Sequence, residues 1–190
     1  MRDAWARTGL VASAVVVAAV FFAMPADAWA QGTFERPGLL TSSGQSSDIA
    51  IVKVMLNTQA KLGLEVKALA QPADLAGMKT LVVVVGASTK GLGAAGIDMD
   101  KEAARTSALM KAAKAGGVKV LVMHTGGEGR RGKTSNDLLQ LVVPEADQVV
   151  VVAAGNKDKL FQKLAEARKV PVIEVDKLAA AGDAVKALFR

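Results

Sequence analysis

Polar side chains and glycines follow several apolar segments of this chain of 190 residues. Hydroxyls, glycine backbone N–H groups and guanidinium forks are donors that suit a carboxylate or a phosphate. The candidate ligand-binding residues are Ser42, Ser43, Gln45, Ser88, Lys90, Gly91, Arg130, Arg131 and Asn156. Each segment alone is also explained by tight turns and helix caps. Their coincidence predicts a binding site for a small anion.

His124 is the candidate for catalysis, since it ends an apolar segment next to a glycine-rich stretch. As a general base beside Ser88 or Thr125, it would make the protein a hydrolase or transferase with a pocket closed by residues 126–132. A hydrogen-bonded core histidine fits the same position. Because no pair of nucleophile and base is visible, while donors for an anion are plentiful, the sequence favours binding over catalysis.

Two segments, 91–96 and 127–132, match the G-x-G-x-x-G pattern of dinucleotide-binding proteins. The first segment lies before its predicted helix, whereas the pattern of a dinucleotide-binding protein begins the helix. The next strand ends in His124, at the position where such proteins have an Asp or Glu that binds the ribose. Leu92 stands where a phosphate-binding loop needs its lysine. Asp98 is typical of an acid in a first helical turn rather than a metal ligand. We therefore expect no nucleotide cofactor and no metal.

The chain begins like a secretory protein. Arg2 and Arg7 precede the apolar segment 9–24, which is shorter than the roughly 20 residues of a membrane-spanning helix. Small residues then fit a cleavage site, either before Gln31 or two residues earlier; an uncleaved anchor is the alternative. We expect a signal peptide at 1–30, a periplasmic or secreted mature protein, and no membrane span after cleavage.

The net charge of +6 and the absence of cysteine limit the partners and the chemistry. The lysines are scattered and only 4% of the residues are aromatic, so neither a basic stripe nor stacking platforms for nucleic acid are present. Without cysteine there are no disulfides and no thiolate sites. A membrane or transport assembly is a further possible partner, which would require an exposed apolar patch.

Apolar segments alternate with segments of helical period after a short polar lead-in at 31–38. Strands are predicted at 39–42, 64–69, 80–86, 118–124, 148–153 and 170–175. One helix is predicted to begin at Ser46, Ser47 or Asp48 and to end at Gly63, and a second to begin at Asp98 or Asp100 and to end at Gly116. Three more helices are predicted at 136–141, at 160–165 with Asn156 as its cap, and at 178–188 with Asp176 as its cap. Around Asp74 and Leu75 at most one helical turn is expected. The third and fifth strands are continuously apolar, as strands covered on both faces are. This order predicts a single α/β domain at 39–190 with an open, mostly parallel, doubly wound sheet of five to six strands, flavodoxin-like or Rossmann-like.

Four polar segments also carry a resemblance to a known family: 40–46, 85–98, 123–132 and 155–158. In these segments the chain resembles exported bacterial and archaeal α/β domains that are known only as a domain of unknown function. The resemblance extends over nearly the whole mature chain. It implies a secreted or periplasmic α/β domain and brings no activity, ligand or cofactor.

Overall fold

Six parallel β-strands form one open sheet within residues 33–190, the part of the chain that the computed structural model describes. The predicted leader and the first two residues of the lead-in lie outside the described residues. The strands are β1 Gly38–Ser43, β2 Glu65–Val66, β3 Thr80–Val85, β4 Lys119–His124, β5 Gln148–Val152 and β6 Val172–Val175. Their order is β2-β1-β3-β4-β5-β6. The predicted open, parallel α/β sheet is confirmed, with six strands and no antiparallel pair between them.

The continuous apolar segments form the interior of the sheet. Every residue of β3 and β5 is buried. β3 lies between β1 and β4, and its Leu81 pairs with Leu39 on one side and Val120 on the other. Strands that are covered on both faces carry apolar side chains in both directions, which explains the absence of alternation in these segments.

Within the described residues, six α-helices cover the sheet. They are α1 Asp48–Lys53, α2 Thr89–Ala94, α3 Met99–Ala115, α4 Lys133–Val142, α5 Leu160–Glu166 and α6 Leu178–Leu188. The chain continues from α1 as a π-helical segment, Val54–Gln59, and single 3-10 turns lie at Pro72–Leu75, Glu128–Arg130, Val143–Glu145 and Ala153–Gly155. The turn predicted around Asp74 and Leu75 is therefore confirmed.

The helices divide between the two faces of the sheet and form two apolar layers. Val52 of α1 and Val185 of α6 are buried against one face. Leu109 of α3, Leu139 of α4 and Phe161 of α5 are buried against the other. This division is the doubly wound arrangement that alternating strands and helices predict.

One helix was missed and two local predictions are wrong. The segment 91–96 precedes α3 as predicted, but its residues 91–94 end a further helix, α2, which the Ser88 hydroxyl caps by accepting from the N–H of Gly91 at 3.1 Å. The second strand is only two residues long, since β2 lies at the edge and pairs with β1 alone. Asp176 does not cap α6, which begins after Lys177 without a side-chain cap.

The carboxyl ends of all six strands lie at one edge of the sheet. β1 leads into α1 on one face, whereas β3, its neighbour, leads by way of α2 into α3 on the other face. Ligands of open α/β sheets bind in the crevice outside the carboxyl ends of strands whose connections diverge in this way. We call the region between the residues that follow β1, β3 and β4 the switch-point crevice; it is formed by residues 44–48, 86–91 and 125–132.

Candidate functional site

The floor of the switch-point crevice is made of backbone groups that bond to one another. The N–H of Ser46 donates to the carbonyl of Gly86 at 3.2 Å, and the N–H of Ser88 donates to the carbonyl of Gly44 at 2.8 Å. Gly44 has a φ of 101°, and a side chain there would collide with the backbone of Gly86. Glycine is needed here because two segments of backbone approach each other closely.

A buried ion pair holds this floor from below. Arg105 donates from Nε to one carboxylate oxygen of Glu102 and from Nη2 to the other, both at 2.8 Å. The same carboxylate accepts from the N–H of Gly44 at 2.7 Å and from the Gln45 amide at 3.0 Å. Burial opposes the charge of Glu102, but these donors hold its pKa below the ordinary value. The pair fixes the segment that leaves β1.

Several predicted ligand donors already have partners inside the protein. The Ser43 hydroxyl lies 3.2 Å from that of Thr106, so it bonds to α3. The Gln45 amide donates to Ala68 at 3.1 Å as well as to the carboxylate below the floor. Ser88 and Gly91 bond to each other in the α2 cap. These residues build the crevice, and their side-chain polar groups face its walls.

Arg131 and Asn156 bond to the segments after β5. Arg131, only 10% exposed, forms a forked pair with Asp158 at 3.0 and 3.2 Å and also donates to Gly155. The Asn156 amide donates to Gln162 at 2.8 Å and to a glutamate of β6 at 2.7 Å. Both donors are thus occupied within the protein.

Arg130 and Lys90 differ from the other predicted donors because they retain unused N–H groups. Nη2 of Arg130 donates to the Ser47 hydroxyl at 3.1 Å, and Nε lies 3.4 Å from Oδ1 of Asp48. Its Nη1 has no hydrogen-bond partner within residues 33–190, and the side chain is 39% exposed. Lys90 is exposed and forms no hydrogen bond or ion pair in the same range. Of the predicted donors with unused groups, these two cations are exposed to a ligand, whereas the unpartnered Ser42 hydroxyl is buried.

Asp48 is the buried acidic residue of the crevice, whereas Glu128, in the segment after β4, is exposed and pairs with Lys157. The Asp48 side chain is only 7% exposed, and its Oδ2 has no hydrogen-bond partner among the described residues. A Cβ built on Gly86 would lie 3.4 Å from this oxygen, and one built on Gly126 would lie 3.2 Å from it. Oδ2 therefore faces the two glycines that follow β3 and β4, at the centre of the crevice.

His124 lies outside this constellation. By strand alternation its ring is on the face of the sheet opposite to α1, where it contacts Phe161 at 5.4 Å between ring centroids. Nδ1 lies 2.8 Å from the carbonyl oxygen of Val85, which only accepts, so Nδ1 carries the proton. Nε2 has no partner among residues 33–190 and is closed off by Gly155. Burial lowers the pKa of His124, so the neutral ring is favoured.

No hydrogen bond in the described part of the chain joins His124 to Ser88 or Thr125, the two hydroxyls considered with it. The Ser88 hydroxyl is used in the α2 cap. The arrangement therefore does not assemble a nucleophile with a base. Ser42 is likewise buried at this edge, and its hydroxyl has no partner among residues 33–190.

Sequence reasoning missed two parts of the site. It considered Asp48 only as a helix cap. The signal that could have identified Asp48 is its place just after the polar residues that follow β1, where the chain enters the predicted crevice. Sequence reasoning gave no role to Glu102 and Arg105, because an acid and a base three positions apart on a helix are typical of a solvated face.

The described residues include no cluster of three or more histidine, aspartate or glutamate side chains arranged to hold a metal ion. Within the same residues, none of the helices is both long enough and apolar enough to cross a membrane. An apolar groove of about 470 Å³ lies between α1, its π-helical continuation and α6. It exposes 48% of Ile51 and 50% of Val54. A membrane or transport partner stays a prediction.

The parallel sheet, the helices on both faces and the crevice at the carboxyl ends of β1 and β3 define a single doubly wound α/β domain. A family model described as Domain of unknown function (DUF6305) matches residues 35–189. The chain therefore belongs to this family, which confirms the resemblance found in the sequence. No curated protein matches the chain.

Proposed function

We propose that this protein is an exported domain that binds a small anion, a carboxylate or a phosphate, in the switch-point crevice. The observation that carries the proposal is the state of Arg130. Its guanidinium lies across the crevice, makes one hydrogen bond and one long ion pair, and keeps Nη1 unused among the described residues.

A partly engaged guanidinium is well suited to an anion. Its planar fork can give two parallel hydrogen bonds to a carboxylate or a phosphate, and such charge-assisted bonds are about twice as strong as neutral ones. In the described part of the chain, the competing acceptors are the Ser47 hydroxyl and a carboxylate oxygen of Asp48 3.4 Å away. A ligand anion can therefore replace weak internal contacts with stronger ones. Lys90 supplies a second, unpaired positive charge from the adjacent segment after β3.

The set of ligand-contacting residues in this proposal is smaller than the set predicted from the sequence. Arg130 and Lys90 contact the anion, whereas Arg131 and Asn156 position the segments around it. Catalysis is the less supported alternative, because the only histidine bonds to Val85 and faces Gly155 rather than a hydroxyl nucleophile.

Binding is tested by titrating the purified protein with inorganic phosphate, acetate and propionate in a calorimeter. Replacing Arg130 with Gln should weaken binding at least about tenfold, since a hydrogen bond to a charged group contributes about 1.5–3 kcal/mol. Lys90→Gln should weaken it by a smaller factor, because a single exposed ion pair contributes little.

Matched controls separate the site from general charge. Arg36→Gln removes an exposed arginine just before β1, at the other edge of the sheet, and Lys111→Gln removes an exposed lysine of α3. Neither should change the affinity. Equal losses in the control variants, or undiminished binding after Arg130→Gln, would contradict the proposed site.

A further inference from the structure

The Asp48 carboxylate is almost completely buried, yet its negative charge is poorly compensated. Within residues 33–190, the one cation that pairs with it is Arg130, at 3.4 Å from Oδ1. The second oxygen, Oδ2, accepts no hydrogen bond within the described residues. Buried carboxylates are normally paired and hydrogen-bonded, because removing such a charge from water is costly. Asp48 therefore lacks a donor on its Oδ2 side, which packs against Gly86 and Gly126.

The unpartnered side of Asp48 is closely covered. A Cβ on Gly86 would lie 3.0 Å from the Ser46 hydroxyl oxygen and 3.4 Å from Oδ2 of Asp48, so both oxygens pack closely against this glycine. Gly126 approaches the same Oδ2 from the segment after β4. The stem of Arg130 packs against Gly126 as well, so the two oxygens lie beneath the side chain that is proposed to hold the anion, and a ligand reaches them when that side chain turns.

Charge balance decides which donor fits there. When Arg130 turns to bind a ligand anion, it shares or loses its contact with Asp48, and the buried carboxylate keeps even less compensation. A ligand with only an acidic group would leave that charge unpaired. A neutral hydroxyl would satisfy the hydrogen bond but not the charge. A ligand that carries its own ammonium group would satisfy both.

We infer that the ligand is a small zwitterion of the amino-acid type. Its carboxylate binds Arg130, and its ammonium group donates to Oδ2 of Asp48 and to the Ser46 hydroxyl. This inference rests on the proposed anion-binding function and names the ligand class of the same crevice. One ligand then replaces the long internal pair between Arg130 and Asp48 with two complete ones.

The first test uses the unaltered protein, purified and dialysed free of ligand. The twenty amino acids are screened by thermal shift, and binding is then measured by calorimetry for matched sets that differ only at C2: alanine, lactate and propionate, and glutamate, 2-hydroxyglutarate and glutarate. We expect the best amino acid to bind at least about tenfold more tightly than its hydroxy or unsubstituted acid, the range of one charge-assisted hydrogen bond.

The second test changes the carboxylate. Asp48→Asn keeps the shape and removes the charge, so the ratio of amino-acid affinity to propionate affinity should fall at least about tenfold, because only the amino acid carries an ammonium group. Asp137→Asn, which removes an exposed acid of α4 paired with Lys133, is the control and should change neither. Arg130→Gln should weaken both kinds of ligand.

The outcomes separate the two proposals. Acids without an ammonium group that bind as tightly as amino acids would overturn the zwitterion inference and leave the anion-binding function standing. If neither phosphate, nor the simple acids, nor any amino acid binds, both fail. Should Asp48→Asn prove unfolded by circular dichroism, the matched ligand sets on the unaltered protein decide the question alone.

Discussion

Removing the Glu102 carboxylate should destabilise the whole domain, although the residue is on a helix that looks solvated in the sequence. Glu102 accepts four hydrogen bonds: from Gly44, from Gln45 and two from Arg105. Glu102→Ala leaves the Arg105 charge buried without its partner, and breaking a buried pair in this way costs about 3–5 kcal/mol. With a urea dependence of about 1–3 kcal/mol per molar, the unfolding midpoint should fall by about 2 M.

Urea denaturation at pH 7, followed by circular dichroism, measures this loss. Glu166→Ala removes an exposed glutamate of α5 and should change stability by less than about 0.5 kcal/mol. The double variant Glu102→Met with Arg105→Met should be more stable than Glu102→Ala alone, because no unpaired charge remains in it. This account of the pair would be refuted if Glu102→Ala lowered the free energy of unfolding by less than about 1 kcal/mol. It would also be refuted if the double variant lost as much stability as the two single substitutions lose when added together.

Two further predictions concern the crevice and its neighbour. Gly126→Ala places a methyl group against the stem of Arg130, so it should displace the guanidinium and weaken ligand binding at least about tenfold. Gly129→Ala, where the added methyl group meets open space, should leave the affinity unchanged. Equal affinities of the two variants in a calorimeter would contradict this prediction. Because burial lowers the pKa of His124, protons bind preferentially to the unfolded chain, and stability should decline as the pH falls below about 6.5. His124→Asn should abolish that decline between pH 6.5 and 5 in urea denaturation; an unchanged slope would assign it to other groups.

Much of the fold was predictable because long-range features of the sequence dictate it. Continuous apolar segments identify the buried strands β3 and β5, and their alternation with helical periods leaves a parallel sheet as the natural arrangement. α2 was missed because Gly91 and Gly93 have low helix propensity, and the Ser88 cap that offsets it becomes evident only when Gly91 is seen to donate to its hydroxyl.

The candidate site was predictable in place but not in detail. The polar segments after the strands indicated the correct edge of the sheet, yet adjacent residues there have opposite roles. Arg131 turns inward to Asp158, while Arg130 turns into the crevice. The sequence alone does not distinguish the two arginines, because the difference depends on the 3-10 turn that ends at Arg130. Asp48 became visible as a site residue only from its burial and its unused oxygen.

The two ends of the sheet have a consequence for handling the protein. β2 has two residues and β6 has four, so the folded domain offers little exposed strand edge on which a second chain could add. The segments 81–85 and 149–152, in contrast, are uncharged and rich in valine, which is typical of sequences that aggregate as cross-β fibres when exposed. Aggregation should therefore follow the population of unfolded chains, and ligands that stabilise the fold should suppress it.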